Sequence, residues 1–350
     1  MQKILDMLAS VTPLDNDAME AARTRQQELT KPAGSLGRLE EIAIQIAGIT
    51  SQSKPTIERK AVIVMAGDHG VTAEGVSAYP SEVTPQMVYN FLRGGAAINA
   101  LAKYAGASVI IVDIGVAADI AHPDLISRKV AYGTANMVKG AAMTREQMVE
   151  AISVGIDVFE TQFEQGIDLV ATGDMGIGNT TASSAIAAAL LGKPVSLVTG
   201  RGTGIDDEQL VHKIEVIERA IEHNRPDPRD PFDVLMKVGG LEIAGLVGVI
   251  IAAAARRVPI VIDGLISGAA ALLAVEMKPA IRDYLLAGHS SVERGHRLML
   301  EHMQLAPLLD LKLRLGEGTG AVLAMSIIEA ALRAHNEMAT FAEAGVSENI

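Results

Sequence analysis

The sequence predicts an α/β protein built on a doubly wound, mostly parallel sheet covered by helices. Three observations carry that expectation. Five short apolar runs rich in β-branched residues recur along the chain, at 61–66 (AVIVMA), 109–114 (VIIVDI), 167–171 (IDLVA), 195–198 (VSLV) and 258–262 (VPIVI). They do not alternate apolar with polar residues, which is the pattern of strands buried on both faces. Gly or Asp closes each run within a residue or two, and an Ala-rich stretch of helical length follows, the texture of repeated βαβ units.

The chain ends read differently. Residues 15–29 look amphipathic, 37–40 (GRLE) lead into a helical stretch at 42–49, and the pattern turns helical again from 321 to 334 and on to 344. The expected division is therefore an α/β body over 56–320 and a small helical bundle made from 1–55 together with 321–350. Strand order cannot be read. The longest apolar stretch, 243–255, contains two glycines and ends at Arg256 and Arg257. It is read as a buried core helix, because a membrane span needs about 20 apolar residues.

Composition narrows the function. Of 350 residues, 49% are apolar but only 3% aromatic, with no Trp, so Ala and Gly must fill the core by close helix-on-sheet packing. The absence of Cys excludes disulfides, thiolate metal sites and a Cys nucleophile. A net charge of −12 argues against nucleic acid as a partner, since phosphate backbones are held by Lys/Arg patches. A single small phosphate remains compatible, because backbone amides at a helix start can hold it. The N-terminal stretch has no long apolar core of a secretory signal, and the expected location is the cytoplasm.

Ligands of such sheets bind where strand ends meet helix starts. The candidates are 67–70 (GDHG), 173–181 (GDMGIGNTT), 199–204 (TGRGTG), 263–268 (DGLISG) and 314–320 (RLGEGTG). In 173–181, Gly173, Gly176 and Gly178 let amides converge, and Asn179, Thr180 and Thr181 suit a helix start. The stretch reads either as a tight βα turn or as an anion site made of amides and a helix dipole. It lacks the Lys-Ser/Thr of a triphosphatase loop, and neither it nor 199–204 has the spacing of a dinucleotide fingerprint, which disfavours a dehydrogenase. In 314–320, Glu317 stands between glycines, where it is either an exposed turn acid or a positioned general base. Just ahead of a helix start, the dipole is expected to lower its pKa and keep it ionised. Asp68-His69 ends the strongest run, and the other seven histidines are expected on helical surfaces. An orienting or turn-forming role therefore suits His69 better than a zinc site. Lys213 falls on an amphipathic helix with Leu210, Ile214, Ile217 and Ala220 on the core side, and a lysine there is ordinarily solvated. Tyr79 and Met87 are core or loop-packing residues, or walls for a flat base.

Taken together, 31–40 (KPAGSLGRLE), 66–70 (AGDHG), 173–181, 237–240 (KVGG), 263–264 (DG) and 314–320 resemble the nicotinate-nucleotide–dimethylbenzimidazole phosphoribosyltransferase family over nearly the whole chain. The resemblance implies a Rossmann-like sheet with a small helical bundle, a homodimer, and no metal or redox cofactor. It implies nicotinate mononucleotide and a benzimidazole-type base as substrates, and Glu317 as general base. Gly176, Gly178, Asn179, Thr180, Gly202, Lys213, Arg314 and Gly316 would form the nucleotide site, Asp263 and Ser291 further nucleotide contacts, and Tyr79 and Met87 the base pocket. Asp174 departs from the family pattern, which usually has Glu there, so an auxiliary catalytic role at Asp174 is in question. The rival from another class is a nucleotide or azole carrier, which would need the 173–181 loop but not Glu317.

Overall fold

In the computed structural model, which describes residues 1–202 and 204–347, the apolar runs assemble around β1 (Lys60–Gly67) and β2 (Ala107–Gly115). Thr203 of the 199–204 stretch and positions 348–350 of the expected helical segment lie outside the described residues. The other strands are β3 (Ile126–Ser127), β4 (Leu169–Met175), β5 (Ile260–Ile262) and β6 (Leu285–Ala287). The six form one sheet in the order β3-β2-β1-β4-β5-β6, every pair parallel. This is the doubly wound Rossmann order, with its reversal point at β1 and β4.

The lack of alternation now has a cause. Along β1, Ile63 and Met65 pack into one apolar core while Val62, Val64 and Ala66 pack into a second on the opposite face. The first face is covered by the helices Arg145–Glu164, Asn179–Leu191, Leu241–Ala255 and Leu265–Met277, the second by Arg38–Thr50, Ala97–Ala105 and Thr319–Glu337. The helix at 241–255 is almost entirely buried. Its glycines let it touch the 145–164 helix: a Cβ on Gly155 would lie 1.9 Å from the Gly245 carbonyl oxygen, and one on Gly248 2.0 Å from that of Ile152. Among the described residues, no helix is long and apolar enough to cross a membrane.

One expected strand is not a strand. Residues 195–198 form a single helical turn, Val195–Val198, entered through Pro194 and closed by Thr199 N–H bonding to the Val195 carbonyl. Val195 and Val198 are both buried, and three residues apart they share a helix face. β3 and β6, of two and three residues, were marked by no β-branched apolar run, whereas the equally short β5 ends the longer run 258–262. The chain ends meet through His335, whose ring bonds Gln26 Nε2 (2.9 Å) and the Ser53 carbonyl (2.8 Å), and through Arg25, which donates to the carbonyls of His335, Asn336 and Met338. The Thr319–Glu337 helix also reaches the sheet, with Val322, Met325 and Ile328 sharing a core with Val62 and Val64 of β1 as well as with Ile42 and Ile46 of the Arg38–Thr50 helix.

Candidate active site

The carboxyl ends of β4, β5 and β6 open into a cavity of about 750 Å³, within the usual size of small-ligand sites. Past β4 the chain turns at Gly176 into the helix Asn179–Leu191. Asn179 Nδ2 donates to Asp174 Oδ2 (2.9 Å), and Ile177 N–H donates to Thr84 Oγ1 (3.1 Å), tying the turn to the helix Val83–Leu92. A helix N-terminus thus faces the cavity, with its dipole favouring an anion there.

Lys213 is buried beneath this turn, not solvated. The buried stripe of its helix, Asp207–Asn224, is Lys213, Val216, Ile217 and Ala220, which includes the expected Ile217 and Ala220 but leaves Leu210 and Ile214 only partly buried. Lys213 Nζ donates to Thr180 Oγ1 (2.8 Å). Burial pulls its pKa down to about 8, against the opposing charge of Glu293. Glu293, which no sequence signal marked, accepts Gly202 N–H (3.0 Å), while Arg314 Nη1 donates to the Gly202 carbonyl (3.2 Å). An acid and a guanidinium therefore grip the same glycine.

At the other end stands Glu317, only 5% exposed. It adopts φ +63°, between Gly316 at +85° and Gly318 at +90°; a left-handed side-chain residue is uncommon and worth about 1–3 kcal/mol of strain. Its Oε2 accepts Ile98 N–H (3.2 Å) at the start of the Ala97–Ala105 helix. The expectation of a lowered pKa fails. Burial pushes the Glu317 carboxyl up, the charge of Asp263 adds to that, and the Ile98 amide offsets only part. Asp174, on the same wall, is held well above the ordinary carboxylate range by burial and then by the charges of Asp263, Glu242 and Glu317.

Of the sequence-selected residues, Tyr79, Met87, Asp174, Gly176, Asn179, Thr180, Gly202, Ser291, Arg314, Gly316 and Glu317 line this cavity. Gly178, Lys213 and Asp263 do not, standing instead behind the wall. Tyr79 is half exposed at the rim. Sequence reasoning missed Glu293 and His289, also on the wall, while Leu265 and Ile266 belong to the candidate stretch 263–268. His69 is fully enclosed and bonds Glu242 (2.7 Å). Burial lowers its pKa, but the charge and hydrogen bond of Glu242, with Asp68, leave it raised overall. His289, His296 and His335 are buried as well, contrary to the expectation of surface positions. Among the described residues, no group of three or more His, Asp or Glu side chains is arranged to hold a metal ion.

A phosphoribosyltransferase family model matches residues 11–346. The chain is 62% identical over 349 residues to the nicotinate-nucleotide–dimethylbenzimidazole phosphoribosyltransferase of Chloroflexus aggregans, covering 99% of each. The chain belongs to this phosphoribosyltransferase family. The Chloroflexus aurantiacus member is 61% identical, with 100% of both chains covered. The crystal structure of the Thermus thermophilus member superposes with a TM-score of 0.91 at 48% identity, covering 96% of this chain and 100% of the other. Family membership makes the cavity at the sheet's carboxyl edge, where glycine-rich helix start and buried glutamate share one wall, the candidate active site.

Proposed function

We infer that the chain moves the ribose 5-phosphate of nicotinate mononucleotide onto 5,6-dimethylbenzimidazole or a related base, giving nicotinate and α-ribazole 5′-phosphate for the lower-ligand nucleotide of cobalamin. The observation that carries this reading is that Glu317 lines the same cavity as the helix start at Gly176–Thr180. The phosphate lies against the helix start at Gly176–Thr180, where the dipole favours it although the Ile177 and Asn179 amides already bond Thr84 and Gly176, with Lys213 behind Thr180. The base lies between Met87, Tyr79 and Glu317.

One nitrogen of the base attacks C1′ while the bond from C1′ to the nicotinate ring nitrogen breaks. The departing electron pair neutralises the pyridinium, so no general acid is needed. Glu317 takes the proton from the other nitrogen of the base, a step typically worth about 10²–10⁴ in rate. Holding the reactants in line contributes as much as roughly 7–11 kcal/mol more. A raised pKa suits Glu317 to this task, since a base is most effective when its pKa approaches the working pH.

We also place the enzyme in the cytoplasm as a homodimer. Leu315 and Tyr79, both on the cavity wall and more than half exposed, are rim residues that a second copy would cover. The test of function mixes protein, nicotinate mononucleotide and dimethylbenzimidazole. Nicotinate is expected only when the base is present, with a product of α configuration by NMR. Release without base would mark a hydrolase, and a β product would refute direct displacement.

A further inference from the structure

Asp263 ends β5 and is fully buried. Its Oδ1 accepts Gly320 N–H (2.8 Å) and Ala321 N–H (3.0 Å), its Oδ2 accepts Gly318 N–H (3.2 Å), and His289 Nε2 lies 3.4 Å from Oδ1. The carboxylate fills the amide cluster at the start of the Thr319–Glu337 helix, where a free anion would otherwise bind. It has no face on the cavity; its neighbour Gly264 forms the wall.

The backbone it grips is the turn that carries Glu317. Three consecutive left-handed residues, Gly316 to Gly318, persist only where surroundings over-determine them. Asp263 fixes the turn from behind, while Ile98 N–H fixes the Glu317 carboxylate from the front. We infer that Asp263 is a positioning residue that holds Glu317 in its left-handed turn and aims it into the cavity, not a contact to the nucleotide. This rests on the reading of Glu317 as the base.

The charged groups around Glu317 are few. Asp263 lies behind it and His289 lies against Asp263. Asp174 stands across Gly316, where a Cβ would come within 3.2 Å of Asp174 Oδ2, and Arg314 is bound to the Gly202 carbonyl. The Ala97–Ala105 helix presents no acid in its first turn. Removing the charge of Asp263 therefore makes Glu317 a weaker base as well as a less well aimed one.

The experiment compares Asp263→Asn, Gly318→Ala and Glu317→Gln as full-length chains. For Asp263→Asn, kcat should fall about 10–100-fold, the scale of an ångström-level misplacement. The KM for nicotinate mononucleotide should stay within about three-fold, because uniform ground-state binding is untouched. The acid limb of its kcat/KM profile should move to lower pH, because a like charge has gone; a purely structural loss would leave the limb in place. In Gly318→Ala, whose Cβ would lie 2.6 Å from Val62 Cγ2 at φ +90°, the turn is disturbed with the charge retained. There kcat should fall and the limb stay.

A large rise in KM at unchanged kcat for Asp263→Asn would make it a nucleotide contact and overturn the inference. So would normal kcat and an unmoved limb in that variant while Glu317→Gln is inactive. If Asp263→Asn does not fold, full activity in Gly318→Ala overturns the inference instead. An active Glu317→Gln would remove the base reading itself, and the positioning role with it.

Discussion

The two ends of the cavity bury opposite charges and tune them in opposite directions. At the glycine turn, burial and the neighbouring Asp263 both push the Glu317 carboxyl up, so it takes a proton more readily than an exposed glutamate. Under the 173–181 loop, burial pulls Lys213 down to about 8, with Glu293 opposing. One end is set to accept a proton; the other keeps its proton firmly only when an anion arrives. Chemistry and phosphate binding should therefore respond to different residues and different ranges of pH.

The sharpest way to break that comparison is Glu317→Gln. Losing the proton acceptor is expected to cost about 10²–10⁴ in kcat, while calorimetry with nicotinate mononucleotide shows binding retained. A near-normal kcat would mean that the base sits elsewhere and that the tuning at the glycine turn has another purpose.

Lys213→Met tests the opposite end with a smaller effect. A hydrogen bond to a charged group is worth about 1.5–3 kcal/mol, so KM for the nucleotide should rise about 10–100-fold with kcat changed much less. The pH signature is more specific. A lysine with a lowered pKa is charged below about pH 8 and neutral above it, so KM should climb as pH rises through 8 in the native enzyme and stay flat in the variant. The acid side belongs to Glu317, whose raised pKa makes turnover decline as pH falls through it. A KM rise above pH 8 that survives in Lys213→Met would detach the alkaline side from this lysine.

How much of this was legible in the sequence follows from the range of the forces involved. β1 and β2 declared themselves because both faces of each strand meet an apolar core, leaving an uninterrupted run. The run at 195–198 looked the same, yet it is a helical turn behind Pro194; four residues cannot separate the two periods. The glycine-flanked Glu317 was visible from local chemistry alone. Its pKa was not, because the visible cause, the helix that follows, is outweighed by burial and by Asp263, and its amide partner Ile98 lies 219 positions away. Lys213 and Glu293 were hidden for the same reason. Helical spacing says which residues share a face, but not that a lysine on that face reaches Thr180 from below.

The smallest expected effect sharpens the comparison most, because Asp174 stands close to both ends. Burial, and then the charges of Asp263, Glu242 and Glu317, hold its carboxyl well above the usual range, which favours its neutral, protonated form over the ionised one. Its Oδ2 accepts from Asn179 Nδ2, and its Oδ1 has no hydrogen-bond partner among the described residues. Asparagine reproduces that arrangement: its carbonyl keeps the Asn179 contact, and its amide N–H₂ replaces the acid O–H. Asp174→Asn should therefore keep kcat/KM within about three-fold at neutral pH, because it conserves volume and keeps the Asn179 contact. A loss of a hundred-fold would mean that Asp174 works ionised. The acid-crowded wall would then hold two working carboxylates, and Glu317 would not be the only base the chemistry uses.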